Sequence, residues 1–504
     1  MSELIASRRA TLLAFGLIGM ITLWRVAILA VDSPNLSFDE AQYWAWAQHI
    51  QLGYYSKPPM VAWAIAATTA LFGEGEGAVK LGSTLAHSGT AIVLVFLGRA
   101  LFGGAVGDSD GRAIGDSYGR AIGAWAGLAW ITLPAVSLSA MIITTDPFLL
   151  FFWALALLCL VEARRAGPRV NRWWVMLGLA FGLGLLSKYA MAFFAVSVGL
   201  WLVWDREARP LAKAPGLWLA GGLGLLVYAP NAVWNAANGF VSYAHTKDNA
   251  NLGVKLFNPD KLAEFIGGQF AVAGPILMVA LLAGLVAAFR RPADARLKML
   301  AAFTLPVLAV MTAESFLSRA NANWTAPAYV AGIVLAVAML ARRPAWLAAS
   351  LALHLVVAGG LYNIDRLRVG FGLADSARYD PEKRIKGWDE IGRQVSAVLA
   401  AHPGARLLAD ERKVLATLTY YVRPHPFDAI KWNPGGAIHD HFDQTTRLEP
   451  GAGPWIYVTE RPDPDAAMAP RFARMESLGE IHVPVHADYQ RKVTVWRLDG
   501  FTGY

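Results

Sequence analysis

Apolar runs of about 20 residues recur along this chain, the length a helix needs to cross a hydrocarbon layer about 30 Å thick. They occupy roughly 10–31, 79–98, 121–142, 147–162, 173–187, 190–204, 214–230, 266–289, 299–317, 325–341 and 344–361, about eleven in all. A shorter apolar piece at 59–72 reads as interfacial or re-entrant. Only 16% of the 504 residues are charged and 56% are hydrophobic, whereas a soluble domain carries about 25% charged residues. The expected fold is mainly α, a polytopic membrane helix bundle of about eleven spans plus interfacial helices over residues 1–361. From 362 the composition turns charged and mixed, and 362–504 reads as an extramembrane α/β domain. In that tail Trp388 to His402 and Glu411 to Tyr421 have helical periodicity. Arg406–Ala409, Trp455–Thr459 and Lys492–Trp496 read as strands.

The first run follows Arg8 and Arg9, as in a signal peptide, but is too long for one and is read as an uncleaved anchor. The single cysteine, Cys159, rules out an internal disulfide and reads as core. The net charge of +8 sits in short loops, so no nucleic-acid partner is needed to explain it. If spans alternate, Arg8/Arg9, Arg99/Arg112/Arg120, Arg164/Arg165/Arg169/Arg172, Arg206/Arg209/Lys213, Arg290/Arg291/Arg296/Lys298 and Arg342/Arg343 share one side. The other side holds Lys57, Lys80, Lys188, Lys247, Lys255, Lys261 and Arg319. The positive-inside rule then puts the N-terminus in the cytoplasm, with Asp39, Glu40, Lys57, Asp146, Lys188, His245, Arg319 and the tail outside. A tandem repeat, Gly107–Ile114 then Gly115–Ile122, reads as a duplicated flexible linker in a cytoplasmic loop.

Charged residues beside hydrocarbon are expensive and tend to mark pathways or chemistry. Asp39-Glu40 lies just after the first run, and Lys57-Pro58-Pro59 follows in the same outer segment. Ser37-x-x-Glu40 is a capping box, and the helix dipole favours Asp39 in the first turn, so both acids also have a structural explanation. Trp44, Trp46, Tyr54 and Tyr55 mark this segment as an amphipathic helix at headgroup level. Tyr43, four residues from Asp39, can share its pocket. Asp146-Pro147 could cap a helix, yet Asp146 emerges on the same face as Asp39, and two carboxylates in a partly dry site can divide acid–base work. Lys57 hangs from a rigid turn before two prolines, with snorkelling as its simpler reading. Arg25, inside the outer end of the first run, would complete a cationic pocket for a lipid phosphate with Lys57, Lys188 and Arg319. His245 alone is a weak metal ligand. No nucleotide-binding fingerprint occurs, so a sugar donor would be a lipid.

The order of a first span, Asp-Glu-Ala-x-Tyr-Trp, Tyr-Tyr-x-Lys-Pro-Pro and a later Thr-Asp-Pro resembles glycosyltransferase families 39 and 83, over roughly 10–360. These C-superfamily membrane enzymes include protein O-mannosyltransferases and the lipid A aminoarabinose transferase. The resemblance implies a polyprenyl-phosphate-sugar donor used at the outer face of a bacterial inner membrane. It makes Asp39 the principal carboxylate and Asp146 the second, puts Lys57 and Arg319 on the donor phosphate, and implies a possible divalent metal. In the aminoarabinose branch a glutamate implicated in a metal site precedes Lys-Pro-Pro; here that residue is Ser56, while His245 falls in the loop where family histidines help ligate it. The tail, unlike the carbohydrate-binding insertion of eukaryotic mannosyltransferases, favours lipid A or another envelope glycolipid over a protein acceptor. A protein O-glycosyltransferase, a lipid or sugar transporter and a non-catalytic receptor are the rivals. Cationic residues favour an anionic sugar such as galacturonate, although a donor phosphate alone would account for them. In the tail, Lys431–His441 offers Trp, Asn, Asp and His for sugar recognition, or an Asn-Pro-Gly-Gly turn.

Overall fold

The computed structural model describes residues 2–104, 109–249, 256–291, 293–451 and 453–504, with the side chains of 2–8 and 109–115 left aside. Gly107 and Asp108 of the tandem repeat, Lys255, and the side chains of Arg8 and Arg112 therefore lie outside the described residues. The chain divides into two compact units. One comprises Met1–Ile28, Lys57–Val61 and Lys80–Tyr362; the other comprises Leu29–Ser56, Ala62–Val79 and Asn363–Tyr504.

The protein is a multi-span membrane protein. Among the described residues seven helices are long and apolar enough to cross a membrane, or eight if one bent pair is a single span. The apolar runs outside that class are shorter or broken. The runs at 173–187 and 190–204 fold as Arg172–Ser187 and Tyr189–Trp204, in the class of shorter apolar helices. Met60–Phe72 has 13 residues, about 20 Å of rise, in keeping with the short apolar piece expected at 59–72. The run at 121–142 ends its helix at Thr132, and Pro134 opens a separate short helix, Pro134–Ser139. The run at 266–289 breaks into Pro259–Ala273 and Pro275–Arg290, bent by 108°. Gly274 sits at that break with φ +76°, and a Cβ there would lie 2.1 Å from His354 Nε2. Glycine before proline is thus required by both backbone and space.

From Ser109 onward the repeat is helical rather than a flexible linker. Its second copy lies in the helix Ser109–Thr132, where Gly119, Gly123 and Gly127 form a stripe of one small residue every four. A Cβ at Gly123 would come within 2.1 Å of the Val95 carbonyl oxygen, and one at Gly119 within 2.3 Å of Gly103 N. The stripe lets this helix and Glu76–Phe102 approach backbone to backbone, the small-residue packing that lipid-embedded helices use. Cys159 is free and buried in the apolar core.

In the second unit a five-stranded sheet runs β2-β1-β3-β5-β4, with β1 Arg406–Ala409, β2 Ile430–Lys431, β3 Trp455–Thr459, β4 Phe472–His486 and β5 Tyr489–Phe501. β1 pairs in parallel with β2 and β3, while β3–β5 and β4–β5 are antiparallel. Both faces are covered. Leu407, Ile456 and Val495 pack with the helices Trp388–Ala401 and Arg412–Tyr421, while Leu408, Trp455 and Leu498 pack with Trp432 and Phe472. Burial on two sides explains why β1 and β3 read as continuous apolar runs.

Candidate functional site

In the membrane unit, the helix Asp146–Ala166 begins at the acid itself. Its N-cap is Thr145, with no side-chain capping bond, so capping does not account for Asp146. Its carboxylate is instead engaged twice. Lys188 Nζ donates to Oδ1 at 2.5 Å, and Asn323 Nδ2 donates to Oδ2 at 3.0 Å. Lys188 is placed by the C-terminus of Arg172–Ser187, where its backbone N–H still bonds the Gly184 carbonyl. Asn323 rides on the short turn Ala322–Thr325. Gln269 Oε1 anchors that turn by accepting from Thr325 Oγ1 and Tyr329 Oη, both at 2.7 Å.

Asp146 and Asn323 line a cavity of about 580 Å³. Its walls are mostly apolar, and His87, Ser139 and Thr144 are among its few polar residues. A largely apolar space with a carboxylate, an amide and a nearby ammonium at one place can take an amphipathic ligand, with chain against hydrocarbon and head against the polar groups.

Arg25 is almost fully buried. It donates to Tyr362 Oη at 3.0 Å, to the Ile131 carbonyl at 2.7 Å and to Ser137 Oγ at 3.0 Å, all neutral acceptors. The Ile131 carbonyl belongs to the last turn of Ser109–Thr132, where the helix dipole favours a cation. Lys57 is half-buried in this unit, Arg319 is exposed in the loop before Ala322–Thr325, and His245 is half-buried on Val241–Asn249. Among the described residues no three His, Cys, Asp or Glu side chains gather as metal ligands. His245 belongs to no such group of three among them.

In the second unit the capping box is formed. Glu40 N donates to Ser37 Oγ at 3.4 Å, and Ser37 N to Glu40 Oε2 at 2.8 Å, which commits the buried Glu40 carboxylate to the helix start. Asp39, half exposed, is free of that duty and pairs with Arg412 at the start of Arg412–Tyr421. The Arg412 guanidinium also lies 4.8 Å from the Phe38 ring centroid. Arg412 escaped the sequence reading, which had only its place beside Glu411 and Lys413 at a helix start to go on.

The aromatic residues after Asp39 do not lie bare at headgroup level. Trp44 meets Tyr420 at 5.0 Å and His425 at 4.5 Å, and Trp46 stacks on Tyr54 at 4.7 Å. Tyr43 packs on Trp46 at 5.1 Å, and Tyr55 is buried. Protein rings fill this face in place of lipid. Tyr54 Oη donates to the Trp46 carbonyl at 3.1 Å, and burial pushes its pKa up to about 12. The Lys431–His441 loop is held internally. Lys431 pairs with Asp440 and Asp443, Trp432 Nε1 donates to Asp465, and Asn433 Nδ2 to the Ala437 carbonyl.

The profile of the dolichyl-phosphate-mannose-protein mannosyltransferase family matches residues 56–107 and 112–234. The lipid A galacturonosyltransferase of Rhizobium johnstonii is 32% identical over 436 residues, covering 85% of this chain and 86% of that protein. The undecaprenyl phosphate-alpha-4-amino-4-deoxy-L-arabinose arabinosyl transferase of Pseudomonas aeruginosa is 29% identical over 218 residues, 41% of this chain and 37% of that protein. The crystal structure of ArnT from Cupriavidus metallidurans bound to undecaprenyl phosphate superposes with a TM-score of 0.61 at 16% identity, covering 95% of this chain and 97% of that one. That likeness shows a shared fold.

Proposed function

The chain belongs to the C-superfamily membrane glycosyltransferases of families 39 and 83, and from that premise we propose that it transfers galacturonate from a polyprenyl phosphate to lipid A. The observation that carries this reading is the match over 85% of the chain to a lipid A galacturonosyltransferase, where the aminoarabinose transferase matches 41%. The donor class follows from the undecaprenyl phosphate in the names of that second relative and of the ArnT complex. The basic residues that share one side if the apolar runs alternate across the membrane support a bacterial inner-membrane protein with its tail and site in the periplasm. A reporter fused after Tyr504 and active only in the cytoplasm would overturn that orientation.

In the transfer, the acceptor oxygen forms a bond to the anomeric carbon as the bond from that carbon to the phosphate oxygen breaks. The electron pair leaves with the phosphate. Fixed cations stabilise that developing charge, because they need no reorganisation as it appears. Lys57 is the principal donor-phosphate group, with Arg319 beside it in role. Arg25 acts at longer range, since its guanidinium is engaged with Tyr362, Ile131 and Ser137. Asp146 holds Lys188 and Asn323 in place for the donor head. Asp39 serves the acceptor: it takes the proton of an attacking hydroxyl, or orients an acceptor that is already an anionic phosphate.

Purified protein supplied with polyprenyl-phosphate galacturonate and lipid A should form the galacturonosylated product. Lys57→Ala should weaken donor use by about ten- to a hundredfold, the value of a charge-assisted bond to phosphate. Undiminished donor affinity in that variant would remove Lys57 from the site. Undiminished transfer in a folded Asp39→Asn variant would remove the acid.

A further inference from the structure

A concave pocket of about 230 Å³ opens in the second unit, lined in part by Ala45, Trp46 and His49 at the C-terminal end of the helix Phe38–Ala47 and just beyond it. Phe427 forms one wall and remains 53% exposed. Its ring is nevertheless held. Fully buried Trp44 stacks on it at 5.8 Å with planes 25° apart, and His425 lies 5.6 Å away. An aromatic face fixed in this way loses little freedom when a ligand settles on it.

Few of the groups that line the pocket beside Phe427 are ionisable. His49, His441 and Thr445 line the pocket, and among the described lining residues none is Asp, Glu, Lys or Arg. Burial and the nearby Arg412 push the His441 pKa down to about 4, so its neutral ring offers one donor and one acceptor near pH 7. A hydrocarbon chain would leave these groups unanswered, and a carboxylate-bearing sugar would find no cation among them. A rigid aromatic face ringed by hydrogen-bonding side chains, with no Asp, Glu, Lys or Arg among the described lining residues, suits a pyranose, with C–H groups against the ring and hydroxyls to the imidazoles and Thr445.

We infer that this pocket is an acceptor subsite that takes an uncharged pyranose of the glycolipid receiving the sugar. The inference rests on the reading of Asp39 as the acid serving the acceptor. Ala45 and Trp46 follow Asp39 by six and seven residues, about 10 Å along one helix. Arg412, which pairs with Asp39, is also the charge felt by His441, so pocket and acid share a neighbour.

Saturation-transfer NMR of the purified full chain with methyl β-glucopyranoside and methyl β-glucopyranosiduronate tests the pocket independently of transfer. The neutral glycoside should bind and the charged one should not. Phe427→Ala should weaken that binding about five- to tenfold, the scale of one aromatic contact, while Phe427→Trp retains it. In the transfer assay Phe427→Ala should raise the KM for the glycolipid acceptor and leave donor KM and kcat unchanged. A rise confined to the donor KM would move the pyranose to the donor and overturn the acceptor assignment. Binding unaffected by Phe427→Ala, or stronger for the uronide, would overturn the pocket itself. Asp39→Asn separates the two readings: full transfer in that variant defeats the role given to the acid, whereas the NMR result still decides the pocket.

Discussion

Replacing Asp146 by Asn, Lys188 by Met, and both together should reveal a coupling that neither single change shows. The two side chains are 12% and 25% exposed, so the pair lies between two regimes. A fully exposed ion pair contributes about 0–1 kcal/mol, whereas breaking a buried one costs about 3–5 kcal/mol because a charge is left uncompensated. The 2.5 Å contact and the second bond from Asn323 favour the middle of that range. Each single variant should therefore lose about 1.5–3 kcal/mol of transition-state stabilisation, roughly ten- to a hundredfold in kcat/KM. The double variant should lose little more than either, because each single change already disables the pair. The measurement is kcat/KM for sugar transfer by the four proteins in detergent or vesicles. Losses that simply add to within about 0.5 kcal/mol would refute the view that Asp146 acts by holding Lys188.

Three further outcomes follow from packing and charge. Gly123→Ala should cost about 1–3 kcal/mol of stability through its clash with the Val95 carbonyl, while Gly16→Ala, with open space around it, should cost nothing by the same thermal-unfolding measurement. A chain truncated after Tyr362 should lose transfer and become protease-sensitive within 29–56, because Trp44 would lose Tyr420, His425 and Phe427; retained transfer would contradict this. His441 has its pKa pushed from the ordinary 6.5 to about 4, so between those values the unfolded chain binds more protons and stability falls as pH falls. Allowing for partial exposure, that loss is on the order of 1–2 kcal/mol, and a His441→Gln variant should lack it when Tm is followed from pH 7 to 4.5.

The helices and the central strands were legible because their signals are local. Arg406–Ala409 and Trp455–Thr459 are short apolar runs, and both are strands buried on two faces. β4 was missed because Gly479 and Pro484 interrupt it among charged residues, features that an edge strand tolerates. Pro134 and Gly274-Pro275 end helices inside runs of uniform hydropathy, breaks that hydropathy alone does not reveal. The capping box at Ser37 and Glu40 was readable from four residues, but the partner of Asp39 lies 373 residues away at Arg412. Sidedness alone put Asp146 and Lys188 on one face. Their contact depends on how the helices Asp146–Ala166 and Arg172–Ser187 pair, and the part played by Asn323 on where a turn after Arg319 falls, neither of which a local pattern encodes.

Lipid A from cells with and without this protein, compared by mass spectrometry, tests the central claim most directly. A hexuronic-acid increment that requires the protein, and that disappears in Asp39→Asn cells containing normal amounts of it, is the predicted result. A pentosamine increment, or lipid A identical in both strains, would contradict it.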